Sequence, residues 1–237
     1  MLIWDYRYFL FLIPGILFML WAQAKVKGAY AKYSQVRNDM GLTGAQAARR
    51  ILDANGLSDV QIQPIPGELS DHYDPRNRVL SLSQGVYGVP SVAAIGIAAH
   101  ESGHALQHAQ GYAPLKFRTA IVPAVNISTN VAWIFILLGL FTQVIGLAWL
   151  GVGLFALATV FALVTLPVEF DASHRAKQQL LRLGLVDGGV RGQAEAKGVN
   201  KVLDAAAWTY IAGFAVSVLQ LLYWISVVSG AGGRRRN

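Results

Sequence analysis

The chain of 237 residues contains no cysteine. That excludes a disulfide framework and any thiolate metal site, so a metal bound here has to be held by His, Asp or Glu. Charge is also scarce. Asp, Glu, Lys and Arg make up 14% of the residues, against about 25% in an ordinary soluble domain. Acidic residues are the rarer sign, 13 against 20 Lys and Arg, for a net charge of +7. The basic residues are spread between apolar blocks and form no single patch, which argues against nucleic acid as a partner and for a membrane surface. There is no internal repeat and no low-complexity linker. What the chain has in quantity is apolar residues, 54% of the total, set in long uncharged runs. That pattern belongs to a membrane protein.

The first run, residues 8–24, lies between Arg7 and Lys25 and is at the short end of the about 20 residues that span a bilayer. Ala22-Gln23-Ala24 resembles a signal-peptide cleavage site. Against that, Asp5 offsets Arg7, Lys25 and Lys27 follow at once, and Trp4, Tyr6, Tyr8 and Trp21 bracket the run as interfacial aromatics do. The expectation is a retained anchor over residues 1–24.

Residues 25–118 form a first polar region. Lys25 to Met40 reads as an amphipathic helix, and Leu42–Gly56 as a helix with Thr43 as N-cap and Gly56 at its end. Val60–Ile65 alternates apolar and polar and predicts a short strand. Asp74-Pro75-Arg76-Asn77 signals a turn, Arg78–Ser83 a second strand, and Pro90 with Ser91 opens a helix. The second strand is expected to offer a free edge for an extended substrate.

Residues 119–168 carry no charge, room for two spans at roughly 119–141 and 143–166 with a turn at Thr142-Gln143. Asn126, Ser128, Thr129 and Asn130 in the first are expected to bond between helices, or else to floor a site. Pro167 is expected to kink or break the helix. Beyond it, Glu169–Leu183 continues helically until Gly184, Gly188 and Gly189. Residues 119–166 are thus a transmembrane hairpin and 167–205 a second polar region. Residues 206–237 hold a fourth span, roughly 207–228, and a basic tail.

The helix opened by Ser91 carries His100-Glu101-Ser102-Gly103-His104. Positions i and i+4 are about 40° apart round a helix, so His100 and His104 can bind one ion from one face. Glu101 lies about 100° round from His100, where it reaches an attacking water and not the metal. This is the H-E-x-x-H arrangement of zinc peptidases, with neutral imidazoles on the metal and the Glu as general base. A core helix with two satisfied histidines is the bland alternative. Gln107 and Gln110 stand where the longer metzincin pattern needs Gly and His, which excludes that class. His108 is about two turns from His100, too far to share an ion easily, and suits a supporting or surface role.

A catalytic zinc takes three protein ligands. The third candidate lies in Val168-Glu169-Phe170-Asp171-Ala172-Ser173-His174-Arg175. Glu169 and Asp171 point about 200° apart on a helix, so only one can face the metal. Glu169 is favoured because Ala172 and Ser173 make its face small enough for close packing; Asp171 is the runner-up. Asp171, Ser173, His174, Arg175 and Tyr112 remain candidates for support of the ligands or for oxyanion stabilisation. Asp71, His72 and Asp74 make either a second metal site or, the favoured reading, a capped turn before a strand.

Taken together, His100–Gln107, the stretch Asp71-His72-Tyr73-Asp74-Pro75-Arg76, Leu166–Ser173 and Gly198–Tyr210 resemble the YugP-type neutral zinc metallopeptidases of prokaryotic membranes. The resemblance covers about residues 25–225. It implies a membrane-bound zincin-like peptidase with Zn²⁺ and a peptide or protein substrate. The fold expected is mainly α, a polytopic membrane protein with about four spans and a small α+β zincin-like catalytic domain. More distantly the chain is similar to HtpX-like and CaaX-processing proteases, whose E-x-x-A-D supplies the third ligand. Glu169 matches that Glu, whereas the final Asp is Ser173 here. Two rivals are a metal-binding scaffold without turnover, for which Glu101 would be superfluous, and a transporter, which needs ionisable groups that residues 119–166 lack.

Four spans place both termini on one side of a prokaryotic inner membrane and both polar regions on the other. Lys25, Lys27, Lys32, Lys116, Arg118, Arg175, Lys177, Lys197 and Lys201 flank the spans on the polar-region side, against Arg7 and the tail arginines opposite. The positive-inside rule then puts the polar regions in the cytoplasm. Single cysteines introduced at Asn55 and Gly189 should resist a membrane-impermeant thiol reagent in intact cells and react after lysis. Labelling of both in intact cells would invert the topology.

Overall fold

A computed structural model describes residues 6–186 and 190–233. The expectations placed on Trp4, Asp5, Gly188, Gly189 and the arginine tail lie outside the described residues. The protein is mainly α, with a small three-stranded sheet. Four of its helices are long and apolar enough to cross a membrane. The chain separates into two compact units, each discontinuous in sequence.

The first unit comprises residues 1–22, 116–167 and 209–237. It draws on α1 (Tyr6–Tyr33), α5 (Ala113–Phe141), α6 (Ile145–Arg182) and α7 (Val190–Gly233). Ile136, Ala148, Val152, Trp224 and Val228 form its core. Small residues let backbones touch here, as transmembrane packing requires. A Cβ at Gly151 would stand 2.7 Å from the backbone of Ile136. Leu10, Ile127 and Phe141 face outward, 64%, 67% and 78% exposed, the apolar exterior that lipid accommodates. Ser128 and Thr129 donate to Val125 O and Asn130 to Asn126 O, all on their own helix. The expected bonds to other helices are replaced by these, because a carbonyl one turn back is already within reach.

The second unit comprises residues 23–115 and 168–208. The helix expected to run to Met40 ends at Tyr33, as part of α1. α2 (Gly44–Ala54) begins with a reciprocal capping box between Thr43 and Gln46. β1 (Gln61–Ile65), β2 (His72–Asp74) and β3 (Val79–Ser83) form a sheet in the order β1-β3-β2. β3 pairs parallel with β1 and antiparallel with β2. It is therefore the central strand, and the free edge expected of it belongs instead to β1 and β2. Pro64 fits because β1 is an edge.

After α3 (Gln84–Tyr87) comes α4 (Val92–Ala109), started by Ser91, whose hydroxyl accepts from Ala94 N. α4 is buried almost throughout because its residues are small. A Cβ at Gly103 would lie 2.6 Å from Ala172 O of α6, closer than any real Cβ, so only glycine permits that approach. α6 passes through Pro167 without a break. Of the kink or break expected there, the break does not occur; in a spanning segment the freed carbonyl can be satisfied locally. α6 ends at Arg182, before Gly184 at φ +61°.

Candidate metal centre

All the residues of this site belong to the second unit. α4 presents His100 and His104 on one face, with ring centroids 4.8 Å apart and the rings edge to face. The facing segment of α6 supplies Glu169. Its Oε2 lies 3.2 Å from His100 Nε2 and 3.5 Å from His104 Nε2. The three ligand atoms fall within 4.8 Å of one another, and among the described residues this is the one such group of His, Asp and Glu. Zinc bonds of about 2.0–2.2 Å in a tetrahedron imply ligand-to-ligand edges of about 3.3 Å, close to both separations. Two imidazole nitrogens and a carboxylate oxygen are also a donor set suited to zinc. The residues fit the ion.

Burial sharpens the electrostatics. Glu169 is only 3% exposed. Glu101, next to His100 on α4, is buried too, and desolvation raises its carboxyl above the usual range. His100 and His104 pull it back, while the charges of Glu169 and Asp71 add to the rise. For His104, burial pulls the imidazole down. The hydrogen bond that His104 donates to Glu169 and the charges of Glu101 and Glu169 outweigh that, and the net direction is up.

The Nδ1 atoms of both histidines are held from behind. Ser173 Oγ is 3.1 Å from His100 Nδ1. It makes this contact at the position where the E-x-x-A-D pattern has a carboxylate. Gln107 Oε1 is 3.0 Å from His104 Nδ1. Such partners fix ring orientation in metal sites.

Asp171 points elsewhere: it accepts from Gln107 Nε2 at 2.8 Å and from Arg175 Nε. Arg175 also donates to Gln110 and lies over the ring of Tyr112, 5.7 Å from its centroid. Tyr112 gets there through the end of α4. Gly111, at φ +65°, lets Gly111 N bond His108 O and Tyr112 N bond Gln107 O at 2.9 Å, a Schellman turn. His174 is exposed on the outer side of α6.

The remaining candidates do not converge. Asp71 accepts from Ser83 N and Oγ, and Asp74 from Arg76 N and Asn77, while His72 Nδ1 sits against Ser70 O. These are turn and strand caps, and no second metal site forms from them. His108 Nδ1 meets Tyr73 OH at 2.9 Å and ties β2 to α4. Gln107 is the residue that sequence reading passed over. Its position three after His104, on the same helix face, was the available signal.

If Glu169 is the third ligand, Glu169→Ala should lower zinc affinity by at least the 10–100-fold typical of a lost supporting partner. Asp171→Ala should hold clearly more metal than Glu169→Ala. Zinc content of the two variants, purified side by side, measures this, and the reverse order would exchange their roles.

Over residues 8–229 the chain matches the model of a family described as "Putative neutral zinc metallopeptidase". It is 47% identical over 220 residues to a protein of Bacillus subtilis (strain 168) named "Putative membrane protease YugP", covering 92% of this chain and 96% of that one. No solved structure matches.

Proposed function

Because the chain belongs to the neutral zinc metallopeptidase family, we propose that it is a membrane-bound, gluzincin-like metalloendopeptidase in which His100, His104 and Glu169 hold the zinc and Glu101 is the general base. The observation that carries this reading is the convergence of one buried carboxylate oxygen on two imidazoles, with a second buried carboxyl beside them.

Zinc held there supplies a Lewis acid that polarises the scissile carbonyl and brings the pKa of water to about 7. The chain's own residues handle the proton. Glu101 accepts it as water attacks the carbonyl carbon, then delivers it to the departing amine nitrogen as the C–N bond breaks. A carboxyl raised by burial is better matched to that two-way transfer than an ordinary one, because catalytic efficiency rises as the pKa nears the working pH. Ser173 and Gln107 hold the imidazole planes, which saves reorganisation during the reaction. Peptides or proteins in or near the membrane are the substrates that four apolar helices favour. The distribution of Lys and Arg supports a cytoplasmic site, and the family resemblance supports a prokaryotic inner membrane.

Glu101→Gln keeps the shape of the side chain but cannot take the proton. The variant should retain its zinc and lose hydrolysis of an unfolded protein substrate by roughly 10²–10⁴-fold. Turnover at the wild-type rate would remove the general-base role and favour a metal-binding scaffold.

A further inference from the structure

Gln107 is fully buried on α4 among small and apolar neighbours. A buried carboxamide persists only where its donors and acceptor are satisfied. Here they are. One end of the amide lies 2.7 Å from Val168 O and 2.8 Å from Asp171 Oδ2. Both partners are acceptors, so that end must be the NH₂ group, and both of its N–H bonds are used. The other end is then the carbonyl oxygen, which can only accept. It faces His104 Nδ1 at 3.0 Å, so Nδ1 must carry the hydrogen. That leaves His104 Nε2, on the Glu169 side of the ring, as the atom whose lone pair is available to a metal.

His100 has no equivalent. Its Nδ1 partner is the Ser173 hydroxyl, which rotates and can donate or accept, so it does not dictate a tautomer. The amide of Gln107 has no such freedom. Its orientation is set by Val168 O and by Asp171, and Asp171 is held in turn by Arg175, which bonds Gln110 and covers Tyr112.

We propose that Gln107 is a positioning residue that imposes the metal-binding tautomer on His104, with Asp171 and Arg175 fixing the sense of its amide. This rests on the ligand set proposed above. The competing account is mechanical: Gln107 merely ties α4 to α6 through its two donated hydrogen bonds.

Two substitutions separate the accounts. Gln107→Met keeps the length and removes every hydrogen bond. Gln107→Glu keeps an acceptor for His104 Nδ1 but loses the donors to Val168 and Asp171. Zinc affinity is measured on the detergent-purified full chain by competition with a chelator. Thermal unfolding of the metal-free protein monitors the fold, and Gln107→Ala replaces the Met variant if that one does not fold. Positioning predicts a 10–100-fold loss of zinc affinity in Gln107→Met. It also predicts that Gln107→Glu binds zinc more tightly than Gln107→Met, although it places a carboxylate against Asp171. A mechanical tie predicts that the Glu variant is equal or worse. Equal or weaker binding by Gln107→Glu, or wild-type affinity in Gln107→Met, would overturn the proposal. The double variant His100→Ala with His104→Ala checks the ligand set separately. Wild-type metal content there sinks that reading and this one with it, whereas metal loss there beside an unaffected Met variant sinks only the role of Gln107.

Discussion

One buried carboxylate oxygen shared by two imidazoles is the constraint on which the rest of the second unit depends. Glu169 Oε2 stands 3.2 Å from His100 Nε2 and 3.5 Å from His104 Nε2, and Glu169 and His100 are buried. An ionised carboxylate so placed is stable only with a positive partner. Removing one member of a buried pair costs about 3–5 kcal/mol, because the other is left uncompensated. A divalent cation bound to all three groups compensates the charge directly. The imidazoles are the cationic partners the chain itself can offer, and Glu169 pulls His104 upward.

Bringing α6 that close to α4 requires small residues at the contact. Gly103 meets the backbone of α6 at Ala172. Even a methyl group at Gly103 would force a shift at Ala172. Overpacking of this kind costs about 1–3 kcal/mol. That is as much as or more than the about 1 kcal/mol that alanine would add in helix propensity. The glycine inside H-E-x-G-H is thus a packing residue that lets α6 approach α4 beside His100 and His104. Gly111 acts at the other end of the helix, where its left-handed backbone turns Tyr112 toward Arg175.

Much of this was legible in the sequence because its signals are local. The i,i+4 spacing of His100 and His104 puts both rings on one face whatever the surroundings. Glu169 and Asp171 could not both face His100 and His104, since two residues along a helix turn the side chain by more than half a revolution, and in the structure they do point to different partners. β1 and β3 showed as short segments, β1 through its alternation of apolar and polar residues. β2 did not, because three residues beside Asp74-Pro75 are too few to establish a period. Nor could the sequence show that β3 is central, since pairing on both sides is a matter of topology. At Pro167 the sequence left a kink or a break open, and α6 runs through as one helix, so the break does not occur. Gln107 was read only for the motif it excluded. Its role depends on Val168 and Asp171, 61 and 64 residues away, and only the fold brings them together.

The central claim is that one zinc, held by His100, His104 and Glu169, makes this chain a peptidase. The most direct measurement is to strip the detergent-purified protein with a chelator and titrate zinc back while following hydrolysis of an unfolded protein substrate. Activity should be absent from the stripped protein and rise with zinc, saturating at about one ion per chain, as a single three-ligand site requires. Hydrolysis that survives stripping, or a protein that takes up no zinc, would contradict it.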